Sequence, residues 1–261
     1  LATSSAASDV YKRQAMTYCV GMKLTRGLIF MSDTRTNAGV DNISTFTKMH
    51  QWTVPGERVI TVLSSGNLAT TQAVMSVLDE RARSPFDSGT SIFETSTMFR
   101  TAELIGEMLA ATIARHKGEG QTAESTFDAK LIVGGQIAGM PPRLFLVYPE
   151  GNFIEASEDT PFLQIGETKY GKPILVRAFD PEMTFAEAVK LLLVSFDSTI
   201  KANLSVGAPL DVVWFDNDVL DAIEPRRIEA DNPDWLAVSD GWGDALKLSL
   251  IHISEPTRHR G

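Results

Sequence analysis

Hydrophobic positions along the 261-residue chain change period several times, and each change marks an element. TYCVGMKL (17–24) alternates, Thr25-Arg26-Gly27 reads as a turn, and the apolar run Leu28-Ile29-Phe30-Met31 leads into Ser32-Asp33-Thr34-Arg35, which together predict a hairpin. A polar loop through Asn37-Ala38-Gly39 follows, then a strand near 46–54, a Pro55-Gly56 turn and a strand over 58–63. The period then becomes helical. Leu68, Thr71, Met75, Leu78 and Ala82 share a face, Asn67 is a good N-cap and Ser84-Pro85 ends the run. Ser91-Ile92-Phe93-Glu94 predicts a capping box ahead of a second helical face, Met98, Ala102, Ile105 and Leu109, stopped by Gly118.

Strand patterns return over 130–135 and 143–148, with a turn at Pro149-Glu150-Gly151-Asn152. A second capping box, Thr184-Phe185-Ala186-Glu187, opens a helix through Val189, Leu192, Phe196 and Ile200, and a strand over 210–215 closes the pattern. Gly241-Trp242-Gly243-Asp244-Ala245-Leu246 reads as an element cut off midway. Strands, two helices, strands, helix, strand is the order of an α+β fold with antiparallel hairpins. Helices should cover the outer faces of two packed, mainly antiparallel sheets, a four-layer αββα sandwich.

The two ends behave differently from the rest. DVYKRQ (9–14) and LSLIHI (248–253) can be encoded by one DNA sequence and its reverse complement, the mark of an adapter joined to both ends of a fragment. Residues 1–15 and 248–261 are therefore expected to be non-native, which leaves 16–247 as one domain. On that expectation Met16 becomes the initiator and Thr17 the second residue.

Charge narrows the function classes. The net charge is -9, each end contributes +1, and the remainder is -11. A chain this acidic is a poor partner for nucleic acid, whose binding depends on Lys and Arg neutralising phosphates. No run approaches the roughly 20 apolar residues that span a bilayer, and no signal peptide precedes Met16, so a cytoplasmic protein is expected. Cys19 is the only cysteine, which excludes an internal disulfide and a multi-cysteine zinc site. Between the ends only His50 and His116 remain. His116 sits where a helix should end and a cation favours the macrodipole, and His50 lies in a strand with no evident serine partner. Asp216-Asn217-Asp218 could offer oxygen ligands to a cation, but reads better as a strand end entering a turn, and no metal is expected.

Without a usable histidine, a hydroxyl nucleophile needs another base. An N-terminal threonine carries its own, because its α-amine can take the hydroxyl proton. Such an amine titrates at about 7.7–8.0, and a nearby Lys⁺ disfavours its charged form and makes it a base at neutral pH. Thr17 keeps suitable company: Asp33 at the end of the second strand, Ala38-Gly39 beyond it, Lys48 in the next strand and Ser65-Gly66 at a strand-to-helix corner. Each has a plainer alternative: Asp33 as a turn residue, Lys48 as a solvated lysine, Gly66 as a glycine that starts a helix.

That spacing resembles the β-type subunits of proteasomes, within the N-terminal nucleophile (Ntn) hydrolases. MTYCVGM, MSDTRTNAGVDNISTF, SSGNLATTQAV, IGETKYGKPIL and SFDSTIKANLSVGAPLD are more closely similar to Anbu, the bacterial ancestral-β-subunit branch, over residues 16–247. The resemblance implies Thr17 as nucleophile and base, Asp33 as the carboxylate pairing the active-site lysine, Lys48 as that lysine, and Gly66 as an oxyanion donor through its N–H. Lys48 falls one residue early, so a loop difference must be absorbed between Gly39 and Lys48. Ser205 matches a supporting serine.

Two departures accompany the match. Gly166 is followed by Glu167 where the family has a serine, and Ala202 stands three residues before Ser205 where it has an aspartate, with Asp197 or Asp211 as substitutes to consider. The resemblance implies a threonine peptidase for peptides or unfolded protein, self-assembled as a ring or open helical homo-oligomer, with no metal or organic cofactor. The sequence names no unfoldase partner. The altered residues keep two other functions open: a scaffold of the same fold with little proteolysis, and an amidase or acylase for small molecules.

Overall fold

The computed structural model describes residues 17–37, 43–83, 89–118 and 127–252. β1 (Tyr18–Leu24) and β2 (Gly27–Asp33) form the predicted hairpin. Their apolar residues alternate between two interiors. Tyr18, Val20, Met22, Ile29 and Met31 face one cluster, and Cys19, Leu28 and Phe30 face another. A strand buried on both faces carries no polar alternation, which is why 28–31 reads as an unbroken apolar run.

The remaining strands are β3 (Arg35–Asn37), β4 (Ile43–Thr45), β5 (Met49–Val54), β6 (Arg58–Gly66), β7 (Ala129–Ile137), β8 (Arg143–Val147), β9 (Phe153–Glu155), β10 (Phe162–Gly166), β11 (Leu210–Asp216) and β12 (Arg226–Ile228). One sheet has the order β10-β1-β2-β11-β12 and the other β5-β6-β7-β8-β9, with β3 and β4 as a separate short ladder. All these pairings are antiparallel.

The helices are α1 (Leu68–Arg83), α2 (Met98–Gly118), α3 (Lys172–Ala178), α4 (Phe185–Ala202) and α5 (Pro233–His252). Val74, Leu78, Ile105 and Leu109 of α1 and α2 pack on Ile60, Val62, Leu131 and Val133 of the second sheet. Leu175 of α3, Leu192 and Phe196 of α4 and Trp235 of α5 cover the first sheet. Leu28, Phe30, Leu63, Ile132, Leu144 and Phe215 fill the space between the sheets. Three apolar layers between four structural layers make the expected αββα sandwich.

Several local expectations need correction. The segment read as a polar loop includes β3 and β4, and the strand placed near 46–54 begins at Met49, with Lys48 just before it. Ala38-Gly39 and the Ser84-Pro85 stop lie outside the described residues. Ser91 and Glu94 do bond, Ser91 N–H donating to Glu94 Oε2 at 2.9 Å, but they close a turn. α2 starts at Met98, where Thr97 Oγ1 accepts from Arg100 N–H at 3.1 Å, and the Thr95 hydroxyl in the intervening turn donates to Ile92 O at 3.0 Å. The Thr184 and Glu187 box opens α4 as predicted. The fragment at 241–246 belongs to α5, which continues through 248–252, where Leu248, Leu250 and Ile251 are exposed. Asp216 ends β11 and Asn217-Asp218 turn the chain, as expected, with Asp216 paired to Arg26 at 2.8 Å and Asn217 Nδ2 donating to Thr25 O. Among the described residues no helix is long and apolar enough to cross a membrane.

Phe30, fully buried beside Phe215, supports the middle layer. Phe30→Ala is expected to lower the unfolding free energy by about 3–5 kcal/mol, read as a lower urea midpoint. A loss below about 1 kcal/mol would mean that the inter-sheet layer repacks without it.

Candidate active site

Thr17 precedes β1 and is almost wholly buried. Both polar atoms of the peptide joining it to Tyr18 are held. The carbonyl oxygen of Thr17 accepts from the N–H of Glu167 at 2.7 Å, and the N–H of Tyr18 donates to Asp33 Oδ1 at 3.0 Å. A peptide pinned on both edges cannot swing, so the place of the Thr17 carbonyl and Cα is set by β1's neighbours on either side, β10 and β2. Gly166, which ends β10, has φ +84, and a Cβ there would sit 1.7 Å from the Thr17 carbonyl oxygen. Only glycine allows this approach.

Asp33 ends β2 and is fully buried. Lys48 Nζ lies 2.7 Å from its Oδ1 and donates also to Arg35 O at 2.6 Å, while Gly207 N–H donates to Oδ2 at 3.4 Å. Burial pushes the Asp33 carboxyl above the ordinary range, and the charge and hydrogen bond of Lys48 oppose that rise. The same burial pushes the Cys19 thiol well up, with the Asp33 charge adding to it. That thiol donates to Ser64 O at 3.7 Å and is a structural rather than a reactive group.

Gly66 ends β6 with φ +110, and a Cβ there would stand 2.4 Å from Asp128 O. It hands the chain to Asn67, whose Oδ1 accepts from Thr70 N–H at 3.0 Å and caps α1. Thr17, Lys48 and Gly66 all line one open cavity of about 410 Å³, together with Phe46, Ser65 and Met75 among others. The structure thus brings together three of the five residues singled out in the sequence at one cavity, with Asp33 directly behind Lys48.

Ser205 is not among the residues lining that cavity; it lies in the loop after α4, where its N–H donates to Asn203 Oδ1 at 3.0 Å. Neither candidate aspartate substitutes for the acid missing at Ala202. Asp197 accepts from Ser239 at 2.6 Å and pairs with Lys201, and Asp211 pairs with Arg227 at 2.9 Å. His50 also lines the cavity, with its pKa lowered by burial and stacked on Trp52 rather than paired with a serine. His116, in the last turn of α2, meets Thr70 Oγ1 at 3.4 Å. Sequence reasoning missed Arg35, Asn203 and Gly207. Arg35 and Gly207 serve through backbone atoms, for which residue type is a poor signal.

Such an arrangement can hold the backbone of a threonine at the edge of a cavity it shares with a lysine whose charge is balanced by a carboxylate. Lys48→Met should therefore be costly, because it leaves an ionised carboxyl buried without its partner, an effect of about 3–5 kcal/mol. The loss should depend on pH with a definite sign. A carboxyl whose folded pKa is raised favours the folded state below its unfolded pKa, and that contribution disappears as pH rises through the folded pKa. The variant should thus lie furthest below the parent at neutral pH and regain stability on acidification toward the ordinary carboxylate range. Urea midpoints across pH check this, and a pH-independent difference would contradict it.

The chain matches the proteasome subunit family over residues 15–215. Among solved structures it is similar to Anbu (ancestral beta-subunit) from Yersinia bercovieri, at 43% identity and a TM-score of 0.85, covering 93% of this chain and 100% of that one. Anbu from Hyphomicrobium sp. strain MC1 is 48% identical, with a TM-score of 0.84 and coverage of 92% and 100%. A structure described as the helical assembly of the Anbu complex from Pseudomonas aeruginosa is 42% identical, with a TM-score of 0.86 and coverage of 94% and 100%. No curated protein matches. Two antiparallel sheets between helical layers, a buried Asp33 and Lys48 pair behind Thr17, and these matches agree, and the chain belongs to the proteasome subunit family.

Proposed function

We propose that this protein is an N-terminal threonine peptidase acting on peptides or unfolded protein. The observation that carries the reading is the grip on both sides of the peptide after Thr17, next to the buried pair of Asp33 and Lys48 and at the edge of a cavity. Removal of residues 1–16, which holds the first segment to be adapter-derived and Met16 to be cleavable, would free the α-amine of Thr17. The amine takes the hydroxyl proton as Oγ1 attacks the scissile carbonyl. The proton then passes to the leaving amine as the peptide bond breaks, and water activated by the same amine releases the acyl group. Lys48 keeps the α-amine in its neutral form by charge repulsion, Asp33 fixes Lys48, and the Gly66 N–H donates to the oxyanion. Ser205 supports this arrangement from the neighbouring loop. No metal or organic cofactor enters the reaction.

One relative forms a helical assembly, as its description states. By likeness to it, this chain self-associates into a homo-oligomer whose subunits carry one such site each.

Protein beginning at Thr17 should hydrolyse members of a fluorogenic peptide panel, and Thr17→Ala should lower turnover by at least about 10³-fold. The 261-residue chain should be inactive until residues 1–16 are removed, since its proposed base is locked in a peptide bond. Equal turnover with and without Thr17 would defeat the peptidase reading. Electrophile labelling of Thr17 without peptide turnover would turn it toward the small-molecule amidase, and neither labelling nor turnover toward the scaffold.

A further inference from the structure

We propose that Glu167 and Asn203 form a positioning pair for Thr17, standing where serine- and aspartate-based support is lacking. The inference rests on the reading of Thr17 as nucleophile. Asn203 Nδ2 donates to Glu167 Oε2 at 3.0 Å, and Asn203 Oδ1 accepts from Ser205 N–H at 3.0 Å. These two bonds close a circuit. From Thr17 it runs through the Glu167 N–H to the Glu167 carboxylate, across Asn203 to the loop of Ser205, then through Gly207 N–H to Asp33 and back through the N–H of Tyr18.

Each link is mounted on something stiff. Asn203 caps α4, its own N–H donating to Thr199 O at 2.9 Å. Leu204 O accepts from Arg35 Nη1 at 3.0 Å, and Arg35 O in turn accepts from Lys48, so the loop is also tied to the lysine. Gly166 leaves no slack between Glu167 and the Thr17 carbonyl, with less room than a methyl group would need. A shift of the Glu167 backbone is therefore passed on to Thr17 rather than absorbed. A primary amide suits the linking position because it donates and accepts at once, and its donor meets a carboxylate, a stronger contact than one between neutral groups. Ala202, one residue earlier, has no side-chain polar atom to offer.

The test exchanges the partners. Asn203→Asp keeps the acceptor for Ser205 and nearly the same shape, but sets a second carboxylate against Glu167. Adding Glu167→Gln restores one donor and one acceptor in the reverse order. The readout is the rate at which a β-lactone acylates Thr17 in protein beginning at that residue. The lactone acyl C–O bond breaks as the bond to Thr17 Oγ1 forms, and the hydroxyl proton ends on the released alkoxide. Intact-protein mass follows the reaction, with Thr17→Ala as control.

Asn203→Asp should slow acylation about ten-fold while lowering Tm by no more than a few degrees, and the double variant should recover to within about three-fold of the parent. An Asn203→Asp rate equal to the parent's would overturn the proposal, as would a double variant no faster than Asn203→Asp. Failure of the parent itself to be acylated at Thr17 would instead remove the nucleophile reading, and this pair with it.

Discussion

Asp33 is a carboxylate with no access to water, and the geometry around Thr17 follows from how its two oxygens are satisfied. One oxygen takes Lys48 Nζ and the Tyr18 N–H, the other the Gly207 N–H. Those donors come from separate parts of the chain: the segment before β5, the start of β1 and the loop after α4. An ionised group in a low-dielectric interior is tolerated only when such partners are all in place. The cost of burying one charge therefore draws these pieces together, and Lys48 is held at the cavity it shares with Thr17 by the same interaction that makes the burial possible.

The four-layer architecture supplies the rigidity this arrangement requires. β1 and β2 have apolar side chains on both faces, packed against helices on one side and the second sheet on the other. Thr17 sits immediately before β1, between β10 and β2, so its backbone moves only with those strands and with the residues bonded to it. Close-packed interiors transmit displacement rather than absorb it. The two glycines at the site, Gly166 and Gly66, lie where strands end and backbones approach too closely for any side chain. Without them the sheets could still pair, but the carbonyl of Thr17 and the corner leading into α1 would have to move apart.

Much of this was legible in the sequence because it depends on periodicity and on local chemistry. The hairpin of β1 and β2, the paired helices α1 and α2, and the Thr184 box of α4 follow from apolar spacing and caps. What escaped depends on partners distant in sequence. β3, β4, β9 and β12 are three residues long, too short for a period to register. The Ser91 and Glu94 pair has the composition of a helix start, yet the same side chains also close a turn, and α2 begins only at Met98. At the site, Thr17, Asp33, Lys48 and Gly66 stand out by type and spacing, whereas Arg35 and Gly207 meet Lys48 and Asp33 through backbone atoms, which residue type does not mark.

The fate of the two spare aspartates shows how the support of the site is divided. Asp197 is almost fully buried on α4, where it accepts from Ser239 and pairs with Lys201, fastening α5 to the sandwich. Asp211, next to β2 in the sheet, is turned to Arg227 and holds β12. Each meets a partner of complementary charge or a hydroxyl on its own side of the fold, and reorienting either would leave that partner unmatched. An acid beside Ser205 would have needed a further cation or donor to be buried with it. A neutral amide at Asn203 needs none, since it meets an existing carboxylate with its donor and a backbone N–H with its acceptor. Glu167 and Asn203 thus satisfy each other and the Ser205 N–H without a further charge in the loop after α4.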